Sequence, residues 1–285
     1  MDLMLPLKKA GLRCVSAGVD AALALLPPRV RAIVADRAPM TRPLDYGAVR
    51  ILVHVDSELE YRVRLGSAAK EPETVAWLES MRDGDVLYDI GANIGAYSLI
   101  AAKRYDGRVR VCAFEPSAMN YGQLVRNLAL NSCGDTVTPI PVALGATTHA
   151  TVFNYQNVTR GGALHALGTA VDDQGRPFIP VLRQRVRVQT LDEVVEQYEL
   201  PPPTHMKIDV DGGEVDILAG ASRTLASPSL RGVLVEASTT QDAAARVGEV
   251  MRQAGFLVAS RHAQGPGGAN FIFERKDPRA GEARR

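Results

Sequence analysis

The segment Val86-Leu87-Tyr88-Asp89-Ile90-Gly91-Ala92-Asn93-Ile94-Gly95 carries the strongest structural signal in the chain. It begins with an apolar run, contains two glycines four positions apart, and continues into a second apolar run, residues 97–102. This order predicts a strand that turns sharply into a helix. The turn could hold a phosphate, hold a nucleoside, or serve only as a tight packing contact.

Strand and helix patterns alternate on the C-terminal side of this turn. We predict strands at 86–90, 109–114, 137–142, 186–188, 205–210 and 232–236, and helices at 96–104, 117–131, 214–226 and 240–254. Such alternation predicts a doubly wound parallel sheet with helices on both faces. The last two strands, 256–260 and 270–274, flank a glycine-rich hairpin sequence, so the last strand is expected to be antiparallel and the sheet mixed.

Residues 1–66 are predicted to form an N-terminal extension. An amphipathic helix ends at Pro27-Pro28, a short helix follows near 29–35, and the β-rich runs 49–55 and 60–65 predict a hairpin. The extension is expected to dock on the domain; membrane-surface contact and homodimer formation are the alternatives.

A helix beginning at Pro72 leads into the main domain, 67–275, with Val75, Leu78 and Met81 spaced for one buried face. A second stripe, Tyr121, Leu124, Val125 and Leu128, marks the buried face of helix 117–131.

Residues 146–185 interrupt the alternation. They are rich in Gly, Thr, Asn and Gln and have little periodicity, so we predict an irregular insertion that acts as a substrate lid. After it, Thr190 and Glu193 have the spacing of a capping box. Residues 276–285 are predicted to be a disordered tail.

Bulk composition excludes some classes of protein. The chain has 285 residues, is 46% hydrophobic and has a net charge of +1, so it predicts a globular protein with no nucleic-acid partner. Its three cysteines lack metal-ligand spacing, which indicates reduced thiols and a cytoplasmic location.

The residues around the first turn favour a nucleoside. No Lys-Ser/Thr pair follows the glycines, which argues against a P-loop. Asn93 stands where a dinucleotide motif has its central glycine, and Asp89 would repel a phosphate but suits an ammonium group. Glu115, at the end of the next strand, suits ribose hydroxyls.

At this point the sequence resembles the FkbM family of S-adenosylmethionine-dependent methyltransferases. Five motifs carry the resemblance: D-x-G-A-N-x-G (89–95), F-E-P (114–116), the Asn127/Asn131 pair, P-V-A-L-G (141–145) and K-I-D-V-D-G-x-E (207–214). The resemblance implies the seven-stranded, Rossmann-like class I methyltransferase sheet and S-adenosylmethionine as the cofactor. The cofactor site that we predict comprises Asp89, Gly91, Asn93, Gly95, Ser98, Glu115 and Ala143.

Catalysis is predicted from acids at strand ends. Asp209 and Glu236 end neighbouring strands and could act as a general base and its orienting partner, or bind Mg²⁺. Lys207 is expected to pair with Asp209. His165, in the predicted lid, is a further candidate base.

These observations predict an O-methyltransferase that acts on a hydroxyl of a sugar, glycan or secondary metabolite. The alternatives are an NAD(P)-dependent Rossmann oxidoreductase and a non-catalytic protein that retains the cofactor-binding fold.

Overall fold

The computed structural model describes residues 21–22, 24–37, 39–172, 175–239, 242–265 and 267–275. It has two compact units, Met1–Met40 and Thr41–Arg285. In the first unit, helix α1 spans Pro28–Arg37, which confirms the short helix near 29–35. Most of the helix predicted before Pro27, and the predicted tail 276–285, lie outside the described residues. No helix in the described ranges is long and apolar enough to cross a bilayer.

The second unit is built on a seven-stranded sheet. Its strands are β3 (Val86–Ile90), β4 (Arg110–Phe114), β5 (Val137–Ile140), β10 (His205–Ile208), β11 (Gly232–Ser238), β12 (Phe256–Gln264) and β13 (Gly268–Arg275). They lie in the order β12-β13-β11-β10-β3-β4-β5, and β13 runs antiparallel to both β11 and β12 while the others pair in parallel. The predicted mixed sheet of the class I methyltransferase type is confirmed.

Helices cover the sheet. In chain order they are α2 (Glu58–Arg62), α3 (Ser67–Lys70), α4 (Pro72–Glu79), α5 (Ala96–Arg104), α6 (Ala118–Leu130), α7 (Leu191–Gln197), α8 (Glu214–Ala219), α9 (Ser222–Ala226) and α10 (Ala243–Gln253). The central strand β3 is buried at every position, with Leu87 in one hydrophobic cluster and Tyr88 in the other. Such two-sided burial explains why β3 is apolar throughout except for Asp89.

The predicted hairpin between 49–55 and 60–65 is wrong in its second strand. Strand β2 (Leu52–His54) pairs antiparallel with β1 (Thr41–Pro43), while residues 58–62 form helix α2. The Ser57 hydroxyl accepts a hydrogen bond from the Glu60 N–H, and the buried Glu60 carboxylate accepts one from the Asp56 N–H at 2.7 Å. This capping arrangement starts a helix and overrides the β-propensity of the residues that follow.

The Asn127/Asn131 pair of α6, one of the five motifs of the family resemblance, has a structural role. Asn127 accepts a hydrogen bond from the His54 N–H and donates one to the Ile94 carbonyl, while Asn131 bonds both the N–H and the carbonyl of Leu52. These amides therefore join the edge strand β2 to the main domain. The predicted stripe is correct at Leu124 and Leu128, but Val125 is 39% exposed because the buried face of the helix is displaced toward Asn120, Gln123 and Asn127.

The prediction of an irregular segment at 146–185 is also wrong. Strands β7 (His149–Tyr155), β8 (Ala166–Leu167) and β9 (Leu182–Gln189) join β6 (Ala143–Leu144) in a second sheet with the order β6-β9-β7-β8. In β9, arginines alternate with less exposed residues, which is the period of a strand with one solvated face. Half of the capping box predicted for α7 is confirmed: the Thr190 hydroxyl accepts from the Glu193 N–H, but the Thr190 N–H donates to the Thr148 hydroxyl and not to Glu193.

Candidate active site

A cavity of about 520 Å³ opens beyond the carboxyl ends of β3, β4 and β10. This is where open α/β sheets bind their ligands. Six of the predicted site residues line it: Gly91, Asn93, Glu115, Ala143, His165 and Asp209. His165 reaches it from the loop that precedes β8.

Gly91 and Gly95 have different structural roles. Both have positive φ angles, +82° and +89°. A Cβ atom on Gly91 would lie 1.9 Å from the Asp209 carbonyl oxygen, so the turn after β3 can lie against β10 only without a side chain. A Cβ atom on Gly95 would meet Leu124 of α6 at 2.5 Å. Gly95 therefore allows helix packing, and it is not among the residues that line the cavity.

Glu115 is fixed beneath the turn. Its two carboxylate oxygens accept hydrogen bonds from the backbone N–H groups of Asn93 at 2.8 Å and Ser117 at 2.9 Å. Burial raises the pKa of Glu115 to about 7, although these two hydrogen bonds oppose the shift. The cavity thus contains a carboxylate that is held in place to accept hydrogen bonds from hydroxyl groups.

Asp89 lies behind the turn and outside the cavity lining. It is 1% exposed, and one oxygen accepts a hydrogen bond from the fully buried Ser98 hydroxyl at 2.6 Å. Burial raises the pKa of Asp89. Its other oxygen, Oδ1, has no hydrogen-bond partner among the described residues, and the same is true of Asn93 Oδ1. Buried polar atoms without partners are uncommon in folded proteins.

Lys207 and Asp209 form the predicted ion pair. Lys207 Nζ donates to Asp209 Oδ2 at 2.8 Å and lies 4.8 Å from the centre of the Tyr97 ring. Burial disfavours both charges, yet the lysine ammonium lowers the pKa of Asp209. Asp209 is therefore a fixed anion at the end of β10.

A third acid, Glu71, joins Asp209 and Glu236. Carboxylate oxygens of the three lie within 4.8 Å of one another. Glu71 is 1% exposed and is bonded by Lys70 Nζ at 2.8 Å and by the Thr74 hydroxyl at 3.1 Å. The negative charge of Asp209 and burial together raise the pKa of Glu236. The sequence prediction missed Glu71, because no local motif links it to acids more than a hundred residues away.

A second cavity, of about 250 Å³, adjoins the first at Asp209. Glu236, Glu214, Ser238 and Arg246 also line it. Glu214 accepts a hydrogen bond from the Gly212 N–H at 2.8 Å, and burial raises its pKa to about 7. Asp209 therefore lies between a large cavity next to Glu115 and a smaller cavity lined by acids.

His165 contacts the aromatic side chains of β7. Its ring centre lies 5.5 Å from that of Phe153 and 5.1 Å from that of Tyr155. Its Nδ1 atom accepts a hydrogen bond from the Gln156 N–H, which places the proton of the neutral ring on Nε2. Burial lowers the pKa of His165 to about 4. Above that pH, the ring offers a donor at Nε2 rather than a free base.

The loop before His165 is hydrogen-bonded to the glycine turn that follows β3. The side-chain amides of Asn93 and Asn120 both donate to the Gly162 carbonyl, at 2.9 and 3.0 Å. Arg64 donates two hydrogen bonds to the Gly161 carbonyl, at 2.7 and 2.9 Å. The predictions did not include Asn120 or Arg64, and only the three-dimensional fold brings them to this loop.

The fold and the site define a class I methyltransferase, because the strand order is combined with a glycine turn after β3 and a buried acid, Glu115, at the end of the next strand. Residues 89–258 match the family model described as the methyltransferase FkbM domain. The chain belongs to the FkbM methyltransferase family, as the sequence resemblance predicted.

Several known proteins are similar to this chain. The hexuronic acid methyltransferase AglP of Haloferax volcanii is 29% identical over 201 residues, which are 70% of this chain and 74% of AglP. The 31-O-demethyl-FK506 methyltransferase FkbM of Streptomyces tacrolimicus is 29% identical over 199 residues, 63% of this chain and 75% of that protein. A solved structure, methyltransferase FkbM from Methylobacillus flagellatus KT, aligns with a TM-score of 0.49 and 17% identity, over 68% of this chain and 45% of that chain.

Proposed function

We propose that this protein transfers a methyl group from S-adenosylmethionine to a hydroxyl group of a sugar, glycan or secondary metabolite. The observation that carries the proposal is the junction of the two cavities at Asp209, with Glu236 on the acceptor side. Two relatives support the acceptor class, since one is named for a hexuronic acid and the other for a 31-O-demethyl compound.

The residues of the larger cavity fit the cofactor. The unpartnered Oδ1 atom of Asn93, on the cavity wall, is an acceptor suited to its ammonium group, whereas that of Asp89, behind the turn, would reach the group only through water. Glu115 would accept hydrogen bonds from the ribose hydroxyls, and Gly91 leaves room for a close approach to the backbone. The wall formed by Ala143 would contact the adenine. When bound, S-adenosylmethionine supplies a methyl group on a positively charged sulfur.

The acceptor proton is proposed to move to the carboxylate of Glu236. A base is more effective when its pKa is near the working pH. The negative charge of Asp209 raises the pKa of Glu236 from the ordinary range of a carboxyl group toward that pH. Asp209, held by Lys207, is proposed to orient Glu236 and the acceptor hydroxyl. His165, protonated on Nε2, is proposed to donate a hydrogen bond in the larger cavity; its role as a base stays a prediction.

The donor set does not fit Mg²⁺. Of the three clustered acids, Asp209 already binds the Lys207 ammonium and Glu71 binds the Lys70 ammonium. A divalent ion would add two positive charges next to these two lysines. We therefore propose that no reaction step involves a metal ion.

Asp209→Asn and Glu236→Gln test the catalytic proposal. Each variant is expected to lower turnover at least a hundredfold, a typical contribution of acid–base groups, while calorimetry shows unchanged affinity for S-adenosylhomocysteine. Glu214→Gln is the matched control, a buried acid of the same cavity, and it should retain most of the activity. Normal turnover in both variants would contradict the assignment. NADH binding without S-adenosylhomocysteine binding would favour the oxidoreductase alternative.

A further inference from the structure

The segment Arg176–Arg187 has an unusual composition for the outer surface of an enzyme. Its sequence, RPFIPVLRQRVR, contains four arginines, no acidic residue and several large apolar residues. Three of the apolar side chains are exposed: Ile179 by 91%, Val181 by 63% and Leu182 by 47%. We call Ile179 and Val181 the apolar tip, because Leu182, one position further along β9, projects from the other face of the strand.

Arg183, Arg185 and Arg187 form a row on one face of β9. Side chains two positions apart on a strand project from the same face, about 7 Å apart. All three are exposed. The Val181 N–H donates to the Tyr155 carbonyl, which continues the ladder and places Val181 in the same row. We call the three arginines the basic row.

Little negative charge compensates the basic row. Glu193 interacts electrostatically with Arg187, and Asp172 pairs with Arg176. In the described ranges of the chain, no acidic side chain forms an ion pair with Arg183 or Arg185. The row is therefore a local positive charge on a chain whose net charge is only +1.

The basic row faces away from the cofactor cavity. In the pairing of β7 with β9, Val152 lies opposite Arg185 and Ala150 opposite Arg187. The alternate residues of β7, including Thr151 and Phe153, line the cavity on the other face of this sheet. A large partner could thus contact the basic row without covering the cavity.

We propose that the basic row and the apolar tip bind the surface of a membrane that contains anionic phospholipid. A positive row alone would fit any polyanion, but apolar residues with no hydrogen-bonding side chains gain nothing from a soluble polyanion. In contact with a bilayer they leave water and enter the interface, while the arginines bind the lipid phosphates. The combination of both signals is what peripheral membrane proteins use for stable attachment.

Vesicle co-sedimentation tests this proposal with the full chain. The protein should bind vesicles of phosphatidylcholine with 30% phosphatidylglycerol, should not bind pure phosphatidylcholine, and should dissociate in high salt because exposed charges are screened. The variant Arg183→Gln/Arg185→Gln/Arg187→Gln should bind roughly a hundredfold more weakly, from about 1 kcal/mol for each basic residue. Ile179→Ser/Val181→Ser should also weaken binding.

The control variant Arg42→Gln/Arg50→Gln/Arg110→Gln makes the same change of charge at exposed positions elsewhere and should bind vesicles normally. Unchanged affinity of all variants for S-adenosylhomocysteine would show that the fold is intact. Three results would overturn the proposal: no binding to anionic vesicles, vesicle binding that survives loss of the basic row, or binding to heparin but not to vesicles. The last result would identify a polyanion site instead.

Discussion

At the scale of single residues, Gly91 determines whether the glycine turn after β3 can form. Gly91→Ala combines the strain of a positive φ with a Cβ atom 1.9 Å from the Asp209 carbonyl, so β10 must move away from β3. Gly84→Ala is the matched control, because Gly84 has a φ of +87° with no atom within 4 Å of its Cβ position. The control should lose only about 1–2 kcal/mol of unfolding free energy. Gly91→Ala should lose more and should not bind S-adenosylhomocysteine; equal stability losses in chemical denaturation would contradict this.

Glu115 is expected to make cofactor binding depend on pH. With a pKa of about 7, its carboxylate is mostly protonated at pH 6 and mostly ionised at pH 8. Since the ionised form is the better acceptor for ribose hydroxyls, S-adenosylhomocysteine should bind roughly tenfold more tightly at pH 8 than at pH 6. Glu115 has the opposite effect on the stability of the fold. Its pKa is higher in the folded protein than in the unfolded chain, so protonation of Glu115 stabilises the folded state. This stabilisation is fully present below the pKa of the unfolded chain and is lost as the pH rises through about 7.

Calorimetry at both pH values tests this assignment. Glu115→Gln should remove the difference in affinity between pH 6 and pH 8. Glu214→Gln should retain it, although Glu214 also has a pKa of about 7. A difference that persists in Glu115→Gln would assign the titration to another group.

At the scale of elements, the short helix α2 shows how a cap can override strand propensity. Ser57→Ala removes the acceptor for the Glu60 N–H and should cost about 1 kcal/mol of unfolding free energy. Glu58→Ala is a control in the exposed first turn. An equal loss in both variants would mean that the cap contributes nothing beyond the general effect of the substitution.

Two predictions from the sequence failed at the level of whole secondary-structure elements. Residues 60–65 have β-type composition, but Ser57 and Glu60 together form a capping signal that the hairpin prediction did not weigh. Residues 146–185 lack helical periodicity, yet the alternation in β9 was a readable strand signal. By contrast, β3 and α5 were predicted with their observed bounds, because the apolar run and the glycine turn specify them locally.

At the scale of the whole molecule, the acid cluster is assembled from three distant parts of the chain. Glu71 precedes α4, Asp209 follows β10 and Glu236 lies in β11. Two lysines already neutralise part of this charge, so methyl transfer is expected to continue in EDTA at an unchanged rate, and added Mg²⁺ should not increase it. Activity that is lost in EDTA and restored by Mg²⁺ would show that the cluster binds a metal ion.

The strand–helix order, the glycine turn and the acids at strand ends could all be predicted from the amino-acid sequence. These signals are local, because hydrophobic period, backbone conformation and turn chemistry act over a few residues. Only the tertiary structure brought Glu71 to Asp209, tied Asn120 and Arg64 to the loop at Gly161–Gly162, and turned the basic row away from the cavity. Those relations depend on contacts between residues far apart in the chain, and no local pattern encodes which buried charges will meet.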